Sequence, residues 1–409
     1  MSVATAYPPR TVVAVVAATT AAQVAGAMGA AVFPVIAPEL ARTLNVEASL
    51  IGYQMSLIYG AAMLGSMLFT WMVARYGGCR TTQIGMACCV VGLAVGFHSS
   101  VFALAVTSIF IGIAMSINLP AAGHLLFRFS PPQHRNFIFS VKQTGVPLAW
   151  ALMALIAPVV TLTWGWRWAL ALVLLSAVVT MLAMQPAREH WDDDRRPDLP
   201  VQARIFDGVQ FVWRMPALRW LGVAAFGMAF VQLCVSTFTV IMLVAEAGYS
   251  LIEAGLMLSV AQIAGVLGRI VWGWVADRVG DSVRVLQWLT ICMLPCCIVI
   301  AFMQPGWPVA VTTLLYAVFG ATAIGWNGLY TAEVARRSPP GQISLTTGGA
   351  MVWNFAGILA GPTVFTVVYK LIGSYAWTYG ILTVVVAVIF VALHAARREL
   401  RLSEPSWNS

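Results

Sequence analysis

Two basic side chains stand where such groups are rare. Arg269 lies in the stretch 261–280 (AQIAGVLGRIVWGWVADRVG), among Gly265, Gly268 and Gly273, and that stretch ends in Asp277-Arg278-Val279-Gly280. Eight positions separate Arg269 from Asp277, which at ~1.5 Å per residue sets its backbone about 12 Å inside the end of a helix. A guanidinium at that depth in a bilayer costs ~2.5–3.5 kcal/mol on insertion scales, so such a group faces a cavity and has a role there. Its planar fork suits an oxyanion, which accepts two parallel charge-assisted hydrogen bonds. The alternatives are a gating strut, paired with Asp277 or with a helix C-terminus, although Asp277 is beyond easy reach along the same helix, and a residue that only snorkels. Lys142, in Ser140-Val141-Lys142-Gln143-Thr144-Gly145, is the second. At ~7.5 Å into its helix it either snorkels to the headgroups or meets a ligand, with Gln143 and Thr144 as polar helpers.

Uncharged polar residues at mid-helix come next: Gln23, Tyr53, Gln54, Tyr59, Asn118, Gln232, Gln262, Trp326, Asn327 and Asn354. Their ordinary use is interhelical hydrogen bonding, worth ~0.6 kcal/mol on average. Asn118 and Asn327 differ because they lie beside Pro120 and beside Gly325 and Gly328. Helix breaks there expose backbone groups that bind a ligand or let the helix bend. The titratable candidates for a coupling proton are Glu39, Glu333, Asp277, His98 and His124. Glu333 has Arg336 and Arg337 at i+3 and i+4 and reads as a local surface pair. Another route for the proton is the anion itself, protonated or bound with a proton at Arg269.

The elements that position these residues follow from composition. The chain of 409 residues is 60% hydrophobic and 9% charged, against roughly 25% charged in soluble domains. It is therefore solvated mainly by lipid. Apolar runs of spanning length occur at about 11–38, 48–74, 81–98, 101–127, 137–162 and 166–185, then at 217–245, 252–275, 284–303, 308–335, 343–369 and 375–396. The first is too long for a signal-peptide core and reads as a retained helix. The pattern is an all-α membrane protein of twelve helices: a bundle over 1–185, a cytoplasmic linker over 186–215, and a second bundle over 216–409 with a short tail.

The net charge of +8 has an uneven distribution. The loops and helix ends on the side of the termini hold eighteen arginines, while the opposite side has Arg42, Arg167 and Lys370. The positive-inside rule makes the first side cytoplasmic, so the charge is an orientation signal and not a nucleic-acid surface. Trp164, Trp166 and Trp168 read as an aromatic belt on the other face. Asp192-Asp193-Asp194, followed by Arg195-Arg196, reads as a solvated charge run. Seven cysteines in apolar runs form no ligand pattern, and neither metal nor cofactor is expected. No nucleophile elbow or phosphate loop is present, and the linker is too short for a catalytic domain, so an enzyme is not expected.

The halves repeat. Gly52, Ser56, Gly65, Arg75 and Gly77 return 203 positions later as Gly255, Ser259, Gly268, Arg278 and Gly280. Ser140, Gly145 and Pro158 return 204 later as Ser344, Gly349 and Pro362. Two six-helix halves related by a repeat are the architecture of a rocking secondary transporter.

With these features the chain resembles the major facilitator superfamily over essentially its whole length. Gly273-Trp274-Val275-Ala276-Asp277-Arg278-Val279-Gly280 is similar to that superfamily's G-x-x-x-D-R-x-G gating loop, and its first-half mate at 70–77 (TWMVARYG) has Ala74 in place of the aspartate. Ser108 stands where proton-driven drug exporters carry an arginine, and Gly145-Val146-Pro147 replaces their glycine-rich signature. Arg269 lies where monocarboxylate, oxalate/formate and nitrate carriers place a substrate-binding arginine. The nitrate carriers' second arginine is matched by Ser66, and the oxalate carriers' lysine by a position near Thr346. The resemblance implies helices five and eight meeting across the halves, with Lys142 and Arg269 flanking one anion. It implies a monomeric carrier of a bacterial inner membrane, both termini cytoplasmic, taking up a small organic anion, a monocarboxylate first, together with protons. Export of hydrophobic drugs is the alternative.

Overall fold

The apolar runs fold as helices whose ends obey local chemistry. The computed structural model describes residues 8–69, 71–131, 138, 141–198, 207–339 and 343–403. The side chains of Ser66 and Ser344, and residues Thr70 and Ser140, lie outside the described set. Helix α1 (Pro9–Leu44) starts with proline at its first turn and ends at Asn45, whose φ of 53° is the left-handed cap. It runs past the expected stop near Pro38, because Pro34 and Pro38 lie inside the helix. The run expected at 48–74 divides into α2 (Ile51–Leu68) and a short helix Trp71–Tyr76. Then come α3 (Gly78–Gly96), α4 (Val101–Phe129), α5 (Val141–Trp164) and α6 (Trp166–Ala183). The linker carries short helices Arg188–Trp191 and Asp207–Arg214. The second half comprises α7 (Pro216–Ala245), α8 (Leu251–Val279), α9 (Ser282–Ala301), α10 (Val309–Arg336), α11 (Ile343–Ile372) and α12 (Tyr375–Ser403). Among the described residues eleven helices are long and apolar enough to cross a membrane, and α2, apolar over 18 residues, completes the order of twelve.

The helices gather into two units, one of Met1–Asn45 with Leu57–Ala203 and one of Val46–Ser56 with Arg204–Ser409. The division falls inside α2. In the first unit α1 packs on α4, α5 and α6, and α3 on α4 and α6. Val15, Cys79, Leu125, Leu126, Phe129, Met184 and Trp191 form a buried cluster near the start of α3. In the second unit α7 packs on α11 and α12, α8 on α10, and α9 on α12. Residues 46–56 fit closely against α11. Ser56 donates to the Leu359 carbonyl at 2.8 Å and Thr366 donates to that of Ser49 at 3.1 Å. A Cβ at Gly52 would lie 1.9 Å from Thr366 Oγ1.

Of the acidic run at 192–194, Asp193 and Asp194 are exposed as expected, and Asp192 is not. Asp192 is 2% exposed and accepts the backbone N–H of Cys79 at 2.7 Å and of Arg80 at 2.8 Å. The cause is local: α3 begins at Gly77-Gly78, which offer no capping side chain, so its first N–H groups take a carboxylate from elsewhere. Gly77 has φ 87°, and a Cβ there would be 2.3 Å from the Asp192 carboxyl. Asp193 pairs with Arg128, while Asp194 meets Arg128 at 2.9 Å and His124 at 2.8 Å. The Arg196 N–H donates to the Ala74 carbonyl at 2.8 Å. The three aspartates thus clasp the start of α3 and the end of α4.

Burial pushes the Asp192 carboxyl above its ordinary value, and the two backbone donors pull it down by less. A raised folded-state value means that the proton-linked part of this group's contribution to stability is fully present below the ordinary carboxyl range. That part is lost as pH rises through the raised value, while the hydrogen bonds to the two N–H groups remain. Asp192→Ala is expected to lower unfolding stability by about 2 kcal/mol, because two buried N–H groups lose a charged acceptor. Thermal unfolding in detergent checks it, and the mutant is expected to lose that acid-range pH dependence.

Candidate functional site

The second unit brings Arg269, Gln262, Trp326, Asn327 and Gln232 together around the contact of α8 with α10. Glycines allow it. A Cβ at Gly320 would sit 2.0 Å from the Ala261 carbonyl oxygen, and one at Gly268 2.5 Å from that of Ala321. The two backbones therefore touch, and only glycine fits at these positions. α10 is not continuous: helix stops at Ala323, a turn occupies 324–326, and helix resumes at Asn327. Gly325 sits in that turn, where a Cβ would be 2.3 Å from the Ala321 carbonyl oxygen.

The break leaves carbonyls that α8 satisfies. Arg269 donates through Nε to the Ile324 carbonyl at 3.3 Å, and Trp272 through Nε1 to that of Ala321 at 3.0 Å. On the other side of the turn, Trp326 Nε1 and Asn327 Nδ2 both donate to Gln232 Oε1 of α7, at 2.9 and 3.0 Å. Trp326 is fully buried and Asn327 half-buried. Gln262 of α8 donates to Ser236 of α7 at 3.0 Å, both buried. Arg269, Gln262, Trp326, Asn327 and Gln232 thus share one polar seam. Trp272, Ser236 and Gly320 join it unforeseen. The tight small-residue positions at 320 and 325 were the available signal.

Asn354 on α11 is buried, with Nδ2 at 3.9 Å from Met351 Sδ. The ring of Tyr53 lies 5.5 Å from Lys370 Nζ. Gly273 is half-buried, while Asp277, Arg278 and Gly280 are exposed where α8 ends. Gly280 has φ 70° and caps that helix, and the Arg278 guanidinium lies 4.1 Å from the Trp274 ring centroid.

In the first unit Lys142 is 5% exposed. It shares a face of α5 with Gly145 and Ala149 at i+3 and i+7, and a Cβ at Gly145 would lie 3.4 Å from Val24 on α1. Gln23 donates to Gln143 at 3.3 Å. Thr20 Oγ1 and Gln23 Oε1 are buried without a hydrogen-bond partner, as are both side-chain heteroatoms of Asn118. α4 runs unbroken through Pro120, so the break expected beside Asn118 occurs only at its counterpart in α10. Of the titratable candidates, Glu39 pairs with Arg42, His124 with Asp194, and Glu333 with Arg336 and Arg337. Glu333 is buried rather than a surface pair. His98 is exposed.

The family model of the Major Facilitator Superfamily matches residues 19–362. An MFS-type transporter of Mycobacterium tuberculosis is 24% identical over 60% of the chain, a match spanning 54% of that relative's own length. A protein of the same organism named "Probable nitrate/nitrite transporter NarK2" is 27% identical over 86% of the chain and 88% of its own. An MFS-type efflux pump of Mycolicibacterium smegmatis is 31% identical over 49% of the chain and 48% of its own. A crystal structure of a peptide transporter, POT, in complex with sulfate superposes with a TM-score of 0.78 at 15% identity, over 96% of each chain, which shows a shared fold.

The α8–α10 contact makes a mutational forecast. Gly320→Ala forces a methyl group against the Ala261 carbonyl, an overpacking expected to cost about 1–3 kcal/mol. The unfolding midpoint in detergent and transport in proteoliposomes are expected to fall together, whereas Gly328→Ala, where a Cβ meets open space, changes both little.

Proposed function

As a chain that belongs to the Major Facilitator Superfamily over residues 19–362, the protein is a multi-pass membrane transporter, and we propose that its cargo is a small organic anion, a monocarboxylate first. The observation that carries this reading is the setting of Arg269. Its Nε donates to the Ile324 carbonyl at the α10 break, which orients the guanidinium. A guanidinium held in a fixed direction suits an oxyanion, which accepts paired charge-assisted hydrogen bonds at little reorganisation cost. In this reading Lys142 supplies a second cation from the first unit, with Gln143, Gln23, Asn118, Tyr53, Asn354, Gln262, Trp326 and Asn327 as polar lining, and 273–280 as a gating loop. The bundles over 1–185 and 216–409 alternate access about the linker, uptake is coupled to protons, and the carrier is a monomer of a bacterial inner membrane with cytoplasmic termini.

Two relatives support second readings. The nitrate/nitrite transporter resembles the chain over most of its length, which favours a small inorganic anion. Ser66 at the position of the nitrate carriers' second arginine argues for a carboxylate instead. The efflux-pump relative supports export, for which an apolar cargo would leave Arg269→Ala tolerated.

Ligand-dependent thermal stabilisation tests the proposal, using formate, acetate, pyruvate, lactate, oxalate and nitrate on wild type and on Arg269→Ala. Ligand at 100 times its dissociation constant is expected to add ~2.7 kcal/mol to the native state, and the mutant to lose the effect. Shifts with lipophilic cations and none with any anion would overturn the reading in favour of export. In proteoliposomes, uptake is expected to rise with an inward proton gradient. A pH-independent rate argues against coupling.

A further inference from the structure

The polar seam of the second unit fixes the orientation of two amides. An indole Nε1–H donates and never accepts, so the Gln232 atom 2.9 Å from Trp326 Nε1 is its carbonyl oxygen. The Asn327 atom 3.0 Å from that same oxygen is then its Nδ2. Gln232 Oε1 is thus occupied twice by protein donors, and what its side chain presents beyond the seam is an NH₂ group. Its donor character is set by a fully buried tryptophan, not by the ligand.

The position of Gln232 relative to Arg269 follows from the rung above it. Gln262 on α8 bonds Ser236 on α7, so these faces oppose each other. Ser236 lies at i+4 from Gln232, and Arg269 at i+7 from Gln262, spacings that keep each pair on one helix face. Joined by the turn at 246–250, α7 and α8 run antiparallel, so both steps descend in the same direction. Gln232 lies ~6 Å below the rung and Arg269 ~10.5 Å below it. The remaining offset is within the length of an arginine side chain. The bonds of Arg269 to Ile324 and of Gln232 to Trp326 and Asn327 place both groups around the same turn of α10.

We propose that Gln232 is a substrate-binding residue, the second donor of the Arg269 site, and that this site takes a small anion bearing only acceptors, such as a carboxylate or 2-oxo acid. It discriminates against the same skeleton bearing an ammonium group. The inference rests on the anion reading above and adds its selectivity. A cation and an amide NH₂ both complement lone pairs, and an ammonium placed beside them meets repulsion and an unmatched donor.

The test uses acetate with glycine and pyruvate with alanine as probe pairs, read by thermal shift and by uptake into proteoliposomes. Gln232→Glu keeps an acceptor for Trp326 and Asn327 and turns the donor into an anion. It is expected to lower acetate and pyruvate affinity about 100-fold, the scale of a like-charge contact in a binding site, and to narrow their preference over glycine and alanine. Without ligand, the new carboxylate facing Arg269 is expected to raise the unfolding midpoint by about 2 °C or more, a gain that vanishes in Gln232→Glu/Arg269→Ala. Trp326→Phe, which removes the indole donor and releases the amide, is expected to weaken discrimination about tenfold. Anion affinity unchanged in Gln232→Glu, with Arg269→Ala still inactive, overturns this inference alone. Wild type stabilised by no anion overturns it together with the anion reading. Should Gln232→Glu not fold, full discrimination in Trp326→Phe overturns it.

Discussion

Backbone contact between α8 and α10 is the constraint on which the second unit's chemistry depends. Where Gly320 meets the Ala261 carbonyl and Gly268 that of Ala321, no side chain separates the helices. Side chains further along therefore reach groups that would otherwise lie too far away. Arg269 and Trp272 satisfy the carbonyls that the turn at 324–326 leaves over. That satisfaction makes an interrupted helix tolerable inside a bilayer, where an unsatisfied backbone group costs several kcal/mol. Once the turn is held, Trp326 and Asn327 are fixed in direction, and Gln232 with them.

The two units meet the same structural problem with opposite parts. Gly77 and Gly280, matched in the repeat, both take positive φ. One position later the units diverge. Asp281 caps its own helix α9 through the Arg284 N–H at 2.9 Å and is met by Arg397 of α12 at 3.0 Å. The matching residue in the first unit is Gly78, and the acid arrives instead from beyond α6 as Asp192. The carboxylate comes from the segment after the bundle's last helix instead of from the loop. Asn118 and Asn327 diverge likewise, one in an unbroken helix and one opening a new segment. A duplicated scaffold preserves the helix ends while each half finds its own polar closure.

Hydropathy made the helices and their order legible, and Arg269 was conspicuous because a charge is rare at that depth. Helix ends were less so. α1 passes Pro38 because a proline inside a helix forfeits one hydrogen bond without always stopping it, and the left-handed stop waits for Asn45. The meeting of Gln232 with Trp326 and Asn327, about 95 positions away, depends on the rotation of two helices about their axes. Weak amphipathic patterns in helices apolar on most sides leave that rotation undetermined. Asp192 looked solvated because charge runs usually are, and its partners are backbone N–H groups that carry no mark in the residue string.

The Asp192 cap also bears on how the chain is made. The N–H groups at the start of α3 and the carboxylate that satisfies them are 113 and 112 positions apart, and everything between belongs to the same unit. During synthesis α3, α4, α5 and α6 enter the bilayer before this clasp exists. Residue 192 stands at the beginning of the segment that leads into α7, so a nascent chain that stops short of it leaves the start of α3 without this carboxylate.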